Sequence, residues 1–220
     1  MGLGGEVHFL INQGIFSQVD TVFNQINENG ERTGVWKTYM QPLKGEKYFY
    51  EIATFNNGRY NGLVIHFSPN GVKIEETYYR NDTLDGLSKI YSNDGTLRTE
   101  KCYKDGRLHG KSKLYSISGK LEEEQEYVEG VETGIYRRFS KSSGRIVEES
   151  FFINGIEQGV RRIFEDTEER KVIREFDFKN GVRIAARYYK EGRLFKEEYF
   201  DYKKGLKEFE KLRKANAEEG

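Results

Sequence analysis

Two prolines, one cysteine, three histidines and a single tryptophan are all that the 220-residue chain has of these residue types. The lone cysteine, Cys102, excludes an internal disulfide framework and a cysteine-ligated zinc site. With no histidine at a matching position, it reads as a packed strand residue rather than a nucleophile. His8, His66 and His109 fall in different registers of the pattern described below, so neither a metal-ligand spacing nor a histidine-centred triad emerges. His66 reads as a surface residue of a strand and His109 as a loop residue. Net charge is also missing, since 36 Lys and Arg stand against 36 Asp and Glu; the molecule has no overall field to draw nucleic acid or anionic lipid. No apolar run approaches the ~20 residues of a spanning helix, and the start lacks the basic and then apolar profile of a secretion signal. Met1-Gly2 invites a myristoylation reading, which Glu6 opposes where that motif has Ser or Thr. These absences lead to the expectation of a cytoplasmic protein without cofactor, metal or catalytic constellation, which contacts neither nucleic acid nor membrane directly.

What the chain does have is repetition. One glycine series runs Gly62, Gly86, Gly110, Gly134 and Gly159, with Gly34 ahead of it, and a second runs Gly71, Gly95, Gly119 and Gly144. Aromatics keep the same beat of about 24 residues, as Phe67, Tyr91, Tyr115, Phe139 and Phe164 in one register and Phe55, Tyr79, Tyr103, Tyr127 and Phe152 in another, which Phe178 and Tyr202 extend. Only 36% of the residues are hydrophobic and 33% are charged, yet 14% are aromatic. That balance suits a thin sheet wetted on both faces better than a disordered tail or a two-layer domain.

Each unit resolves into two short strands. Alternation over 86–92, a turn at Asn93-Asp94-Gly95 and a return over 96–103 make a hairpin, for which Asp-Gly predicts a two-residue type I′ turn. The same reading applies to Asn70-Gly71 and, more weakly, to Ser118-Gly119 and Ser143-Gly144. The G-x-x-x-G pairs 58/62, 106/110, 130/134 and 155/159 then mark the opposite edge, where the chain reverses. A two-residue loop sets Lys89 across from Glu100 and Lys113 across from Glu124. Glutamates recur at 76, 100, 124, 149 and 197, five residues beyond a turn glycine, so they line up as a ladder at roughly 10 Å spacing. Lys89, Lys113 and Arg137 face it, so cross-strand charge pairing is the leading reading and a binding stripe the other.

The fold class is therefore all-β: an elongated single-layer antiparallel sheet of stacked β-hairpin repeats, with tyrosine rings stacking from unit to unit and a short C-terminal helix. Residues 1–27 form a degenerate N-terminal capping repeat, 28–204 hold about seven repeats, and 205–220 carry an amphipathic helix with apolar positions at Leu206, Phe209 and Leu212.

The unit Tyr-x-x-Gly-x-x-x-Gly-x-x-x-x-Tyr, as in Tyr103, Gly106, Gly110 and Tyr115, is followed by a turn glycine and a Glu-rich returning strand. In this it resembles the MORN repeat in the variant form of bacterial YwqK-like antitoxins. The resemblance implies a rolled sheet of hairpins and a protein-binding role, typically as the immunity partner of a cognate toxin or effector domain. A MORN-type scaffold or membrane-associated interaction module is the alternative. The pattern departs from the repeat at Asp82 and Ala185, which stand where glycines belong, and at Thr167-Glu168, where the turn has none.

Two features are candidates for contacting a partner. Trp36 is either packing for the N-terminal cap or an interface anchor. The acidic stretch Glu122, Glu123, Glu124, Glu126, Glu129 and Glu132 is either a solvated face or a surface complementary to a basic toxin site.

Overall fold

The structure, a computed structural model, describes residues 23–40 and 49–218. Most of the N-terminal unit read over 1–27, with His8 and Glu6, lies outside the described residues. The described chain forms one open antiparallel sheet of fifteen strands in sequential order, followed by one helix. The strands are β1 (Gln25–Ile26), β2 (Arg32–Met40), β3 (Phe49–Asn56), β4 (Arg59–Phe67), β5 (Lys73–Arg80), β6 (Thr83–Tyr91), β7 (Leu97–Lys104) and β8 (Arg107–Tyr115). They continue with β9 (Leu121–Val128), β10 (Val131–Phe139), β11 (Ile146–Ile153), β12 (Ile156–Phe164), β13 (Val172–Lys179), β14 (Val182–Lys190) and β15 (Arg193–Tyr199). The helix α1 spans Tyr202–Glu218. At the usual strand spacing the sheet measures about 65–70 Å across its strands.

The two edges of the sheet use different turns, and the sequence assigns them the wrong way round. Type I′ turns, with positive φ at both central residues, occupy the edge of the G-x-x-x-G pairs: Asn57-Gly58, Asp105-Gly106, Glu129-Gly130, Asn154-Gly155 and Asn180-Gly181; one more, Glu191-Gly192 between β14 and β15, lies at the other edge. At Asn81-Asp82 no glycine is needed, because Asp82 holds φ 64° and its Oδ1 accepts the Tyr60 N–H at 2.7 Å. The Asn-Gly and Asp-Gly pairs at 70–71 and 94–95 belong to longer turns in which only the glycine has positive φ. There Gly71 and Gly95 donate back to the carbonyls of Ser68 and Ser92, in the geometry of a type I turn closed by a bulge glycine. Ser68, Ser92 and Ser116 open such turns and Ser140 opens a longer one, a further periodic series. In the turn without glycine, Arg170 takes the left-handed conformation at φ 47°. The longer turn between Ser140 and Arg145 absorbs the one step of 25 residues.

The second glycine of each G-x-x-x-G pair is a correction as well. Gly62, Gly86 and Gly110 do not reverse the chain; they sit inside β4, β6 and β8 at bulges where three residues oppose one on the preceding strand. On the following strand each lies opposite a register aromatic: Gly62 opposite Tyr79, Gly86 opposite Tyr103, Gly110 opposite Tyr127. That pairing couples the glycine and aromatic periodicities. In the β13–β14 hairpin the bulge shrinks to one extra residue and Ala185 pairs regularly with Asp177, so alanine is tolerated there.

Register aromatics 24 residues apart lie two strands apart, about 10 Å, too far for ring contact. The expected continuous tyrosine stack is therefore confined to the N-terminal end, where Tyr60 on β4 fills the gap: Phe55 to Tyr60 is 4.8 Å and Tyr60 to Tyr79 5.5 Å between centroids. Further along, Leu84 and Leu108 occupy the intervening positions opposite Tyr79 and Tyr103. Ala53, Phe55 and Val64 form the N-terminal core with Trp36, Tyr60 and Tyr79 against it. In mid-sheet Thr77, Ser88, Gln125 and Ser150 are buried although the described residues form a single sheet layer.

The helix begins at Tyr202, three residues before the sequence-based start, so Tyr202 is not a strand aromatic. Asp201 Oδ1 caps it by accepting the Lys203 and Lys204 N–H groups at 2.9 and 3.1 Å. Gly205 lies against Val182 of β14 and Phe209 against Gly181 of the preceding turn, while Leu212 stays exposed.

Most type I′ turns place Asn or Asp at the first central position, but Glu191 holds φ 51° there, at a cost that Asn largely avoids. Glu191→Asn is expected to stabilise the protein by about 0.5–1 kcal/mol, read as a raised urea midpoint. An unchanged midpoint would mean that the strain is not there.

Candidate protein-binding surface

Strand alternation assigns every side chain to one of two faces. One face carries an unbroken row of alternating charge across eleven strands: Glu76, Lys89, Glu100, Lys113, Glu124, Arg137, Glu149, Arg162, Glu175, Arg187 and Glu197, each directly opposite the next. The expected pairs Lys89 with Glu100 and Lys113 with Glu124 are in this register, and Arg137 stands between Glu124 and Glu149. Measured contacts include Lys113 to Glu100 at 3.1 Å, Arg137 to Glu149 at 3.0 Å, Arg162 to Glu175 at 3.1 Å and Arg187 to Glu197 at 3.0 Å. A single exposed pair contributes only ~0.2–1 kcal/mol. In a row where each interior charge has an opposite one on both sides, ordering one side chain serves two pairs. The Glu149 hydrogen bond raises the pKa of Arg137 further, locking the guanidinium in its charged form.

Beside this row, on the same face, Ile135 and Phe151 form a directly opposed pair, 41% and 42% exposed, with Tyr78 43% exposed further along. Glu126 lies two positions along β9 from ladder residue Glu124. This face therefore offers apolar side chains set in a fixed lattice of charges whose signs cancel.

The six acidic residues singled out in the sequence do not gather on one surface, because neighbours along a strand point to opposite faces. Glu124 and Glu126 share the ladder face, with Glu124 held by Lys111 at 3.3 Å and Arg137 at 3.4 Å. Glu123 lies on the other face opposite Leu114 and Arg138, and Glu132 lies there opposite Tyr127. Glu122 sits at a bulge with Lys141 3.4 Å away, and Glu129 sits in a type I′ turn near Arg107 and His109. The residues Glu122, Glu123, Arg138, Phe139 and Lys141 line a concavity open to solvent. Trp36 packs edge-on against Phe55 at 6.2 Å, lies under the Arg32 guanidinium, and donates its indole N–H to the carbonyls of Gln25 and Thr33. Its side chain is engaged in the N-terminal hairpin.

The opposite face holds a hydrogen-bonded chain that sequence reading missed. The Tyr60 hydroxyl donates to Glu51 at 2.8 Å, and His66 bridges Glu51 and Glu75 at 3.1 and 3.0 Å. The Thr77 hydroxyl then donates to Glu75 and shares a hydrogen bond with Ser88. His66 is thus a half-buried cation between two carboxylates rather than a surface residue. The hydrogen bonds that it donates to Glu51 and then to Glu75 push its pKa up to about 9. Burial and the hydrogen bond to Glu51 push the Tyr60 phenol up to about 12. His109 is likewise not in a loop but within β8, next to its bulge glycine. Cys102 is a half-buried strand residue opposite Leu87.

The imidazolium makes stability depend on pH with a defined sign. Its folded pKa is raised, so its contribution is complete below the unfolded value of about 6.5 and is lost as pH rises through about 9. We expect the stability gap between the wild type and His66→Gln to be about 1–2 kcal/mol at pH 7 after solvent screening and to close by pH 10, measured by urea titration of both proteins at both pH values. A gap that persists at pH 10 would show that His66 acts through shape rather than charge.

Among the described residues no group of His, Cys, Asp and Glu is arranged to hold a metal ion, and no helix is long and apolar enough to cross a membrane. Comparison with protein-family models and with curated proteins gives no match.

Proposed function

We propose that the protein is a non-catalytic binding module that holds another folded protein against its sheet, and that the partner is a toxin domain which it neutralises as an immunity protein. The observation that carries the binding reading is the ladder face: the exposed Ile135–Phe151 pair beside rows of fixed, alternating charge. Exposed aromatic and aliphatic anchors within a polar surround are what a protein interface needs. A balanced charge row gives directional complementarity without the general pull on polyanions that a basic face would exert. The choice of a toxin as partner comes from the likeness to MORN-type antitoxins and is the narrower part of the proposal.

The test is co-expression with the product of the gene adjacent to this chain's own in its source genome. Protection of the cells and copurification at sub-micromolar affinity are expected. Phe151→Glu together with Ile135→Glu, both at exposed positions, should weaken binding at least a hundredfold, since central anchors cost upwards of ~2 kcal/mol each. Full protection by this variant would move the contact to another surface. Failure of the wild type both to protect and to bind would end the immunity reading.

A further inference from the structure

The last strand of the sheet is an open edge. Among the described residues, β15 has β14 on one side and no strand on the other. All of it except Glu198 is exposed, including Leu194 at 50%, Phe195 at 64% and Tyr199 at 76%. Helix α1 does not shield this edge, because Gly205 and Phe209 seat it on the first residues of β14 and its neighbouring turn. Proline, which blunts many natural edges, does not occur in β15. A seven-residue strand with exposed apolar side chains is a template for another strand.

We infer that this edge pairs with the same strand of a second copy, antiparallel about Glu197, joining two sheets into one. Parity of the backbone supports the register. Phe200 donates its N–H inward to the Ile184 carbonyl, so over the regularly paired residues the amides of Glu197 and Tyr199 point outward. A twofold axis at Glu197 then makes Glu197 and its copy a hydrogen-bonded pair and brings the exposed Phe195 ring beside Tyr199 of the second copy. It also sets Lys196 against Glu198 of the second copy. Aromatic meets aromatic and opposite charges meet, twice each by symmetry. The one like-charge meeting is Glu197 with itself at the axis, and each of these carboxylates is held by its own Arg187 at 3.0 Å. The β14–β15 register skips Phe195, so the regular backbone pairing runs from Lys196 to Phe200 and is centred on Lys196, Glu197 and Glu198.

A single strand pair buries less than the roughly 1,000 Å² of a stable interface, so the association is weak, with a dissociation constant on the order of 10–100 µM. Sedimentation velocity of the full chain from micromolar to several hundred micromolar should show monomer passing to dimer. Lys196→Glu alone sets four acids together at the edge, and Glu198→Lys alone sets four bases; each should raise the dissociation constant at least tenfold. Mixed one to one, the two variants should form a heterodimer as tight as the wild-type homodimer, a rescue that misfolding of either variant could not produce. A chain that stays monomeric throughout overturns the inference, as does a dimer that either single variant leaves intact, or a mixture that does not associate.

Discussion

Gly86→Ala is expected to cost about 3 kcal/mol, whereas the equivalent change at Gly159 should cost about 1 kcal/mol. Both glycines keep the same beat and both have positive φ, 119° and 73°. They differ in what a methyl group would meet. At Gly86 an added Cβ falls 2.9 Å from the Cβ of Tyr78 on the neighbouring strand, a backbone-anchored atom that cannot swing away, while at Gly159 nothing lies within 4 Å. Backbone strain applies to both and overpacking to the first alone. Urea midpoints for the two variants measure the difference. Equal losses would show that the bulge opens freely and that the glycine series records backbone conformation only.

That contrast shows what periodicity does and does not reveal. The glycine and aromatic series are visible in the sequence as separate rhythms, but their pairing across strands is not, because it depends on bulges that add residues to one strand of a pair. Lys89 opposite Glu100 illustrates the point. The two-residue loop that gives this register in the sequence is absent; a three-residue loop shifts the pairing by one, and the bulged residue Arg98 shifts it back. Two departures cancel and the expected pair survives. At the other end they do not cancel. The turn between Phe164 and Val172 has no glycine, so counting five residues past a turn glycine never reaches Glu175. The ladder nevertheless runs through it, and the alternation of acidic and basic residues on successive strands would have found it.

The candidate site was less legible than the fold. A run of glutamates in sequence suggests one acidic patch, and extended backbone divides it between two faces by simple alternation. Ile135 and Phe151 lie 16 residues apart in a chain rich in apolar and charged neighbours, and only register makes them partners. The Tyr60, Glu51, His66, Glu75 chain is invisible for the same reason, since it joins three strands.

Arg187→Met is expected to have its effect at one end of the sheet. Arg187 serves three carboxylates: Glu175 at 3.2 Å, Glu197 at 3.0 Å and Asp177 by a close two-pronged contact. Its pKa is raised by the Asp177 hydrogen bond first and by Glu197 and Glu175 after it. Methionine preserves the aliphatic stem and leaves the three acids facing one another, with Glu175 alone keeping a second cation in Arg162. A partly buried charge cluster stripped of its cation loses about 2–3 kcal/mol. Units of such an array contact only their neighbours, so amide exchange should quicken in β15 and α1, which reach the sheet through β14, and stay unchanged in β3 to β6. Because the penalty is repulsion between ionised carboxylates, it is present at neutral pH and fades in acid, where charge repulsion between carboxylates disappears. Adding Asp177→Leu to the variant should recover more than half of the loss at pH 7. Exchange that quickens uniformly along the sheet, or a deficit that persists at low pH, would show that Arg187 supports the end of the sheet by packing and not by charge.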